Sequence, residues 1–353
     1  MALDPASSLS ELGGWPAILS RLIRGEDLAS AEAAAALSEI LSGAATSAQI
    51  AAFATALHMK GETVEEMTGL VRTMLAHAET VPVPDALDIV DTCGTGGDRS
   101  RSVNVSTMAA LVVAGGGAPV CKHGNRAMSS SAGSADVLEA LGVVIDLGPE
   151  AVVHCIEEAG MGFCFAPRFH PALRHAGPTR RELGVATVFN FLGPLANPAR
   201  PRRQVVGVSD PAMAHTMLGV LQANGATRAM VVYGHDGLDE LTTTTTSTVL
   251  EVVDGEVRTA VVEPREHGLS LASPEDLRGG DAATNADLTR RMLDGEKGPR
   301  RDVVLLNAAA GLMAAGLVAD LVEGLGVAER SLDGGRAGEV LERLVTTSRE
   351  VAA

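Results

Sequence analysis

The spacing of apolar residues changes near residue 84, and this change constrains the fold more than any other feature of the sequence. Residues 15–78 carry apolar side chains at helical spacing, whereas the chain after residue 86 alternates short apolar runs with helical segments. Val-Pro-Val-Pro at residues 81–84 separates the two regions. Strands that alternate with helices favour a parallel sheet with right-handed crossovers. The sequence therefore predicts a small helical domain followed by a larger α/β domain.

The first region is predicted to form four short helices and no strand. Thr46 with Gln49, and Thr63 with Glu66, have the spacing of a capping box, in which each side chain binds the backbone amide of the other residue. Gly61 stands where the third helix should end, because glycine readily adopts the left-handed conformation that stops a helix.

Short apolar runs in the second region predict the strands of the sheet. These runs are LDIVDT, PVCKHG, FCFAP, QVVGVS and RAMVVYG. The stretch TVLEVVDGEVRTAVVE predicts a hairpin that turns at Asp254 and Gly255. The predicted fold class is α/β, with a mostly parallel central sheet. We expect the helical domain to comprise residues 1–83 and to be completed by a helical insert near residues 178–202, and the α/β domain to comprise residues 84–353.

Composition argues against several classes of function. The chain has 353 residues, 46% of them apolar, and a formal net charge of −16 at pH 7. This charge repels polyanions such as nucleic acids and anionic membranes. No apolar run approaches the roughly 18 residues of a membrane span, and the four cysteines lack the spacing of a metal site. We expect a cytoplasmic protein with reduced thiols and with neither a nucleic-acid nor a membrane partner.

The first predicted strand leads directly into a glycine-rich segment, Cys-Gly-Thr-Gly-Gly-Asp at residues 93–98. Ligands of open parallel sheets bind beyond the carboxyl ends of the strands. Glycines expose backbone N–H groups to a ligand, and the helix near Ser106 offers the positive end of its dipole. The segment lacks the Gly-Lys-Ser/Thr of a Walker loop, and Arg99 replaces the last glycine of a dinucleotide fingerprint. Taken alone, it predicts either a phosphate cradle or a simple turn.

A second polar segment, Lys-His-Gly-Asn-Arg at residues 122–126, follows the next predicted strand, and serines occupy residues 129–131. A solvated loop is one interpretation, since charged loops are common. However, neighbouring βα units place their strand ends at one edge of the sheet, so this segment should face the glycine-rich one. Together the two supply the cations and hydroxyl groups that a polyphosphate with sugar hydroxyls requires.

Two adjacent carboxylates, Asp239 and Glu240, follow the predicted strand RAMVVYG. Mg2+ takes carboxylate oxygens and shares the rest of its shell with water and substrate phosphates. An acidic turn is the alternative for this segment alone, but a phosphate-like site on the same sheet edge favours Mg2+.

A further segment, residues 165–184, carries histidines and arginines. His170 and His175 are five residues apart and do not share a helical face, so we do not expect a metal there. Arg180 is better suited to hold a carboxylate with two parallel hydrogen bonds.

Taken in order, these motifs resemble those of the anthranilate phosphoribosyltransferase family of tryptophan biosynthesis. The resemblance runs from about residue 15 to the end and rests on DTCGTGGD, NVST, KHGNR, SSSAGSADVLEALG, FAPRFHPALRH, RRELG, FNFLGPLANP and DGLDELT. It implies a fold of the nucleoside phosphorylase/phosphoribosyltransferase type. It also implies transfer of the phosphoribosyl group from 5-phospho-α-D-ribose 1-diphosphate (PRPP) to anthranilate, Mg2+ as cofactor, and a homodimer joined through the helical domain.

The resemblance also assigns residues to each ligand. The implied PRPP contacts are Gly94, Gly97, Asp98, Ser102, Asn104, Val105, Ser106, Thr107, Lys122, His123, Gly124, Asn125, Arg126, Ala127, Met128, Ser129, Ser130 and Ser134. The implied anthranilate contacts are Gly94, Asn125 and Arg180, and the implied metal ligands are Ser106, Asp239 and Glu240. Catalytic roles are expected for Lys122, which would stabilise the leaving diphosphate, and for Asn125 and His123, which would position the substrates.

The sequence departs from the family pattern at Arg99, Arg101 and Val103, where the family has a glycine and an aromatic residue, and at Phe169, where it often has tyrosine. The arginines would either attract phosphate or face solvent, and Phe169 leaves the acceptor selectivity open. Two alternative functions are a pyrimidine nucleoside phosphorylase, which would not need the acidic pair, and a non-catalytic relative that binds nucleic acid, which the net charge disfavours.

Overall fold

The computed structural model describes residues 8–98, 100–127 and 131–352. Within the described residues before Val90, the chain forms four helices and no strand, as the sequence predicts. The helices are α1 (Gly14–Ile23), α2 (Ser30–Leu41), α3 (Ser47–Lys60) and α4 (Val64–Ala76). Both predicted capping boxes are present at the starts of α3 and α4.

A seven-stranded sheet forms the centre of the remaining described residues. Its strands are β1 (Val90–Gly94), β2 (Val120–Gly124), β3 (Met161–Phe165), β4 (Arg203–Gly207), β5 (Arg228–Gly234), β6 (Ser247–Val253) and β7 (Glu256–Val262). Their spatial order is β3-β2-β1-β4-β5-β6-β7. Strands β1 to β5 are parallel, while β6 runs antiparallel to both β5 and β7. The predicted fold class and the hairpin at Asp254 are confirmed.

Helices cover both faces of the sheet. They are α5 (Val105–Gly115), α6 (Ser134–Leu141), α7 (Pro149–Ala159), α8 (Ala166–Phe169), α9 (Gly177–Leu183), α10 (Val188–Leu195), α11 (Ala214–Ala223), α12 (Ala282–Leu293), α13 (Pro299–Ala314), α14 (Leu321–Asp333) and α15 (Arg336–Ala352). Neighbouring residues of β4 point to opposite faces: Val205 joins the apolar cluster under α5 and α13, and Val206 joins the cluster under α10 and α11.

The helical insert packs against the amino-terminal helices. Helix α9 contacts α3, and α10 contacts both α3 and α4. Phe53 of α3 and Phe189 of α10 belong to the same buried cluster as Val206 of β4, so the bundle and one face of the sheet share a continuous apolar core. No helix in the described ranges is long and apolar enough to cross a membrane.

The third strand differs from the prediction by two residues. The sequence predicts a strand through Pro167, whereas β3 ends at Phe165 and α8 begins at Ala166. Proline has no N–H to donate to a sheet, and its fixed φ suits the first turn of a helix. The chain therefore turns away from the sheet edge at this proline.

Candidate active site

The three strand-end segments line one cleft of about 330 Å³ at the carboxyl edge of the parallel strands. The segment after β1 contributes residues 94–98, β2 and its following loop contribute residues 122–127, and the acidic segment after β5 contributes Asp239 and Glu240. Arg180 of α9 lines the same cleft. The structure thus brings together residues that lie more than a hundred positions apart in the sequence.

The glycine-rich segment lies against the acidic one. Gly96 and Gly97 have φ angles of 65° and 82°, which glycine adopts without steric cost. The N–H group of Gly96 donates to Oδ2 of Asp239 at 2.7 Å. One of the N–H groups that we expected to face a phosphate is therefore engaged by a carboxylate.

Asp239 and Glu240 are buried, each with 8% of its surface exposed. Burial, together with the charge of Asp98, raises the pKa of Asp239 to about 7. Burial and the neighbouring Asp239 raise the pKa of Glu240 well above its usual range. Carboxylates crowded together in a poorly solvated place repel each other, and a divalent cation would relieve that repulsion.

The donors of this acidic segment fit Mg2+. Ser106 at the start of α5 donates its backbone N–H to Oε1 of Glu240 at 3.1 Å, and it lines the cleft together with Asp239 and Glu240. Among the described residues, no group of three or more His, Cys, Asp or Glu side chains could hold a metal ion by itself. Mg2+ is commonly bound by one or two carboxylates and completed by water and substrate phosphates.

Lys122 lines the cleft but is almost entirely buried, with only 1% of its surface exposed. Its ammonium group donates to the carbonyl oxygen of Thr92 and, at 3.3 Å, to the hydroxyl of Ser106. Its positive charge opposes the rise in pKa that burial causes at Asp91 and Glu240. The ammonium group thus stabilises the negative charge of both buried carboxylates.

His123 is buried beside the cleft and is neutral. Its Nδ1 lies 3.0 Å from the carbonyl oxygen of Gly193, and this contact fixes the tautomer with a proton on Nδ1. Burial, followed by the adjacent His170, lowers the pKa of His123 to about 3. Within the described chain, neither Nε2 of His123 nor Oγ1 of Thr107 has a hydrogen-bond partner. Buried polar atoms without a partner are rare, so both mark positions for a ligand.

The two arginines of the predicted site differ in their surroundings. The guanidinium of Arg180 stacks over the ring of Phe189 at 5.4 Å, and burial lowers its pKa. Arg126 is instead largely exposed and pairs with Asp136 at 3.0 Å and with Glu139 at 2.8 Å. Arg180 is held in the cleft wall, whereas Arg126 has local carboxylate partners.

Every predicted site residue within the described ranges lines this cleft. Besides those above, these residues are Gly94, Gly97, Asp98, Ser102, Asn104, Val105, Gly124, Asn125, Ala127 and Ser134. Met128, Ser129 and Ser130 lie outside the described residues, as does Arg99. Arg101 lines the cleft with an exposed side chain and a φ angle of 56°.

Two family models match the chain. Residues 16–78 match "Glycosyl transferase family, helical bundle domain", and residues 86–338 match "Glycosyl transferase family, a/b domain". The anthranilate phosphoribosyltransferase of Rhodococcus opacus is 56% identical over 335 residues, covering 93% of this chain and 92% of the relative. That of Salinispora arenicola is 54% identical over 344 residues, covering 96% and 97%. The chain belongs to the anthranilate phosphoribosyltransferase family.

Solved structures of the anthranilate phosphoribosyltransferase family have the same fold. The enzyme from Thermus thermophilus matches with a TM-score of 0.89 and 44% identity, over 94% of this chain and 99% of the other. The enzyme from Saccharomyces cerevisiae in complex with PRPP and Mg matches with a TM-score of 0.86 and 27% identity, over 95% and 98%.

Sequence reasoning missed Asn307, which fixes the acidic segment in this anthranilate phosphoribosyltransferase family member. Asn307 is buried in α13, and its amide binds both backbone groups of Leu241, accepting from N–H at 3.0 Å and donating to the carbonyl at 2.8 Å. Leu241 directly follows Glu240. A polar residue within an apolar helical stretch was the signal that could have revealed it.

Asp91 was also missed, although it belongs to the first predicted strand. It is fully buried, and its carboxylate accepts from the backbone N–H of His123 at 3.2 Å and from the side chain of Asn197 at 2.9 Å. It therefore links β1, β2 and the segment after α10. A carboxylate within a buried strand was the available signal.

Two glycines permit the close approach of the acidic segment to the sheet. A β-carbon on Gly94 would lie 2.6 Å from Oδ2 of Asp239, and one on Gly207 would overlap the carbonyl oxygen of Asp239. Glycine is therefore required at the ends of β1 and β4 for Asp239 to reach its position.

Proposed function

We propose that the protein transfers the phosphoribosyl group of PRPP to the amine of anthranilate, giving N-(5-phosphoribosyl)anthranilate and diphosphate, in tryptophan biosynthesis. One observation carries this proposal: a single cleft joins the glycine-rich, KHGNR and acidic segments in a chain 56% identical to an anthranilate phosphoribosyltransferase. A nucleoside phosphorylase is not favoured, because free phosphate would not need a buried carboxylate pair.

PRPP would occupy the part of the cleft between the glycine-rich segment and the KHGNR segment. The start of α5 points the positive end of its dipole into this region. The unpartnered hydroxyl of Thr107, in the first turn of that helix, would donate to a phosphate oxygen. Exposed Asn125 and Arg126 would contact PRPP from the opposite side.

Mg2+ would be held by Ser106, Asp239 and Glu240. When bound, Mg2+ would neutralise the negative charge that develops on the diphosphate as the bond to ribose C1 breaks. The S. cerevisiae enzyme was solved with PRPP and Mg, and the crowded carboxylates described above give this chain a physical reason to bind a cation there.

Lys122 would act through its neighbours. Because its ammonium group is buried and bound to Thr92 and Ser106, it orients the Ser106 hydroxyl and balances the charge of Glu240. The expectation from the sequence was direct contact with the leaving diphosphate. The geometry favours a positioning role instead.

Anthranilate would be bound by Arg180 and Asn125, with its carboxylate on the guanidinium. An aryl amine is already a neutral nucleophile, so the reaction needs no strong base. His123, with a pKa of about 3, is a poor base but its free Nε2 can accept a hydrogen bond from the attacking amine. Acceleration would then come mainly from positioning and from charge stabilisation.

The division into residues 1–83 with the insert at 178–202, and residues 84–353, is part of the proposal. Val81 of the linker donates its N–H to the carbonyl of Pro198, so linker and insert are in contact. Closure of the cleft about this junction would exclude water that could hydrolyse PRPP. X-ray scattering with and without PRPP and Mg2+ tests this, and identical profiles would count against closure.

We also propose a cytoplasmic homodimer that forms through the helical domain. Ile23, Met59 and Val185 are 77%, 82% and 64% exposed. They lie at or near the ends of α1, α3 and α9, and α3 contacts both α1 and α9. Such exposed apolar side chains favour a protein contact. The four buried free thiols support the cytoplasmic location. Light scattering should show a dimer, and Met59→Glu should weaken it.

The decisive experiment follows anthranilate fluorescence in the presence of PRPP and Mg2+. Loss of fluorescence that depends on all three components supports the proposal. No loss, together with phosphate-dependent cleavage of a pyrimidine nucleoside, would favour the phosphorylase. Retardation of nucleic acid in a gel at moderate salt would favour the non-catalytic alternative.

A further inference from the structure

A second cavity, of about 660 Å³, lies beside the amino end of β4, away from the carboxyl edge that carries the active cleft. We call it the rear cavity; it is open to solvent and is bounded by the ends of α4 and α11 and by the chain between α10 and β4. Arg72, Arg200 and Arg202 line it. None of its described lining residues is acidic, although the whole chain has a net charge of −16.

All three arginines contact backbone carbonyl groups, and the longest of these bonds is that of Arg200 to the carbonyl of Leu75 at 3.5 Å. Arg72 donates to the side chain of Asn224 at 3.0 Å and to the carbonyl of Ala223 at 2.7 Å. Arg202 donates to the carbonyl of Gly225 at 3.3 Å. These bonds cap the end of α11, but they use only one or two of the five N–H donors of each guanidinium. Donors therefore remain for a ligand, and arginine suits carboxylate and phosphate groups.

The rest of the rear cavity combines apolar walls with a polar floor. Leu75, Leu195, Leu221 and Ala226 contribute the apolar surface. Asn197 and Gln204, which are 2% and 4% exposed, form the floor. Mostly apolar walls with a few convergent polar groups are typical of small-molecule sites. The matching ligand is an oxyanion group attached to a compact apolar body.

The two cavities share a wall formed by α4 and α10. Met74 of α4 and Pro194 of α10 line the active cleft, whereas the next residues, Leu75 and Leu195, line the rear cavity. A ligand that packs on one side of this wall would shift or stiffen the residues on the other side.

A buried hydrogen-bond network joins the same two places. Asn197 and Gln204 of the rear cavity donate to Oδ2 of Asp91 at 2.9 and 3.5 Å. The other oxygen of Asp91 accepts from the backbone of His123, whose side chain lines the active cleft. Asp91 thus bonds to residues of both cavities.

We propose that the rear cavity binds a small organic anion, with a carboxylate or phosphate group on a compact apolar body, and that its occupancy changes the affinity of the active cleft for PRPP. Coupling of two sites requires that the ligand favour one arrangement of the structure between them. The shared wall and the Asp91 network are the elements that can carry it.

Calorimetric titration tests the binding. The probes are benzoate and phenyl phosphate, which share an apolar body, and inorganic phosphate, which lacks one. Arg200→Gln with Arg202→Gln should weaken binding of at least one aryl anion tenfold or more. The matched control, Arg258→Gln with Arg265→Gln, removes the same charge at exposed positions. Its affinity for the same aryl anion should stay within twofold of the wild-type value. Equal affinity in wild type and the cavity variant would overturn the proposal.

The active cleft could also bind these probes, so its contribution must be separated. Arg180→Gln should leave the rear-cavity binding intact, and loss of all binding in that variant would assign the probes to the active cleft. Wild-type crystals soaked with 4-bromobenzoate provide a test that needs no variant. A bromine anomalous peak in the rear cavity supports the proposal, and a peak solely in the active cleft contradicts it.

The coupling is tested by kinetics at saturating anthranilate. The probe that binds best should change the PRPP KM at least threefold in wild type but not in the Arg200→Gln, Arg202→Gln variant. An unchanged KM would overturn the coupling. This assay rests on the proposed function, whereas the calorimetric and crystallographic tests do not, so failure of the proposed function is distinguishable from failure of the site.

Discussion

The acidic and the basic sides of the active cleft are built in opposite ways. Asp239 and Glu240 are buried and fixed through Asn307 before any ligand is present. Arg126 on the basic side is exposed and paired with Asp136 and Glu139. The acidic side is therefore preorganised and electrostatically strained, whereas the proposed function requires Arg126 on the basic side to contact PRPP from within existing ion pairs. The difference implies that the acidic side determines turnover and that the basic side determines binding.

The strongest test removes the charge of the acidic side. Asp239→Asn with Glu240→Gln should lower kcat/KM about 10³-fold, the upper range for loss of one preorganised electrostatic group, and raise the Mg2+ concentration needed for activity. The same variant should raise the melting temperature in Mg2+-free buffer, because two crowded buried carboxylates are removed. Steady-state kinetics and thermal melts measure both effects.

Exposed acidic residues supply the control. Glu256→Gln with Glu263→Gln removes the same charge far from the cleft, where both side chains pair with neighbouring arginines at the surface, and should change neither quantity appreciably. An unchanged Mg2+ titration in the Asp239 and Glu240 variant would return the acidic segment to the status of a turn.

The next test concerns Arg180, which extends the basic side into the wall of the cleft. Arg180→Ala should raise the anthranilate KM about 30-fold, as expected for loss of about 2 kcal/mol from a hydrogen-bonded charge, and should change the PRPP KM much less. Arg181→Ala, at the exposed neighbouring position on α9, is the matched control. A larger effect on PRPP than on anthranilate would reassign Arg180 to phosphate.

A third test concerns the buried His170, whose ring lies next to that of His123 in the KHGNR segment. Burial lowers the pKa of His170 to about 4, so below pH 6.5 the unfolded chain binds a proton there that the folded chain does not. Stability should fall as the pH drops from 6.5 towards 4, and His170 should account for about 2 kcal/mol of the loss at pH 5. Chemical denaturation at pH 7 and pH 5 measures it.

The variant His170→Gln isolates the contribution of His170, because the amide nitrogen of glutamine lies where Nε2 of histidine lies and can still donate to the carbonyl of Ala196, while the side chain does not titrate. Between pH 7 and pH 5, the free energy of unfolding of this variant should fall by about 2 kcal/mol less than that of wild type. His215→Asn changes an exposed histidine of α11 and should leave the wild-type pH dependence intact. The same pH dependence of stability in all three proteins would contradict the lowered pKa of His170.

The smallest expected effect concerns the support of the acidic side. Asn307→Leu removes both hydrogen bonds to Leu241 and should weaken Mg2+ affinity about tenfold, the usual cost of losing a residue that orients metal ligands. Metal titrations of activity measure it. Gln222→Leu, at an exposed amide of α11 that lines neither cavity, should have no such effect, and equal Mg2+ affinities in both variants would remove Asn307 from the site.

The sequence was sufficient to predict the sheet, the hairpin and the segments that meet at its edge, because strand ends are local features with recognisable residue types. It did not predict that Lys122 is almost entirely buried and bound to Thr92 and Ser106, since strand periodicity does not show where a long side chain ends. Asn307 is 66 positions from Leu241, and contacts of this kind arise only when the chain folds. The hydrogen bond from the N–H group of Gly96 to Asp239 could not be predicted for the same reason.

The glycines at the ends of β1 and β4 bear on how this enzyme can be altered. Gly94 and Gly207 leave room for Asp239 that any β-carbon would fill. A mutant library aimed at new acceptors can therefore vary the wall around Arg180 and Phe189 freely, but sequences that replace either glycine should be lost at the screening stage, however well their acceptor pocket is shaped.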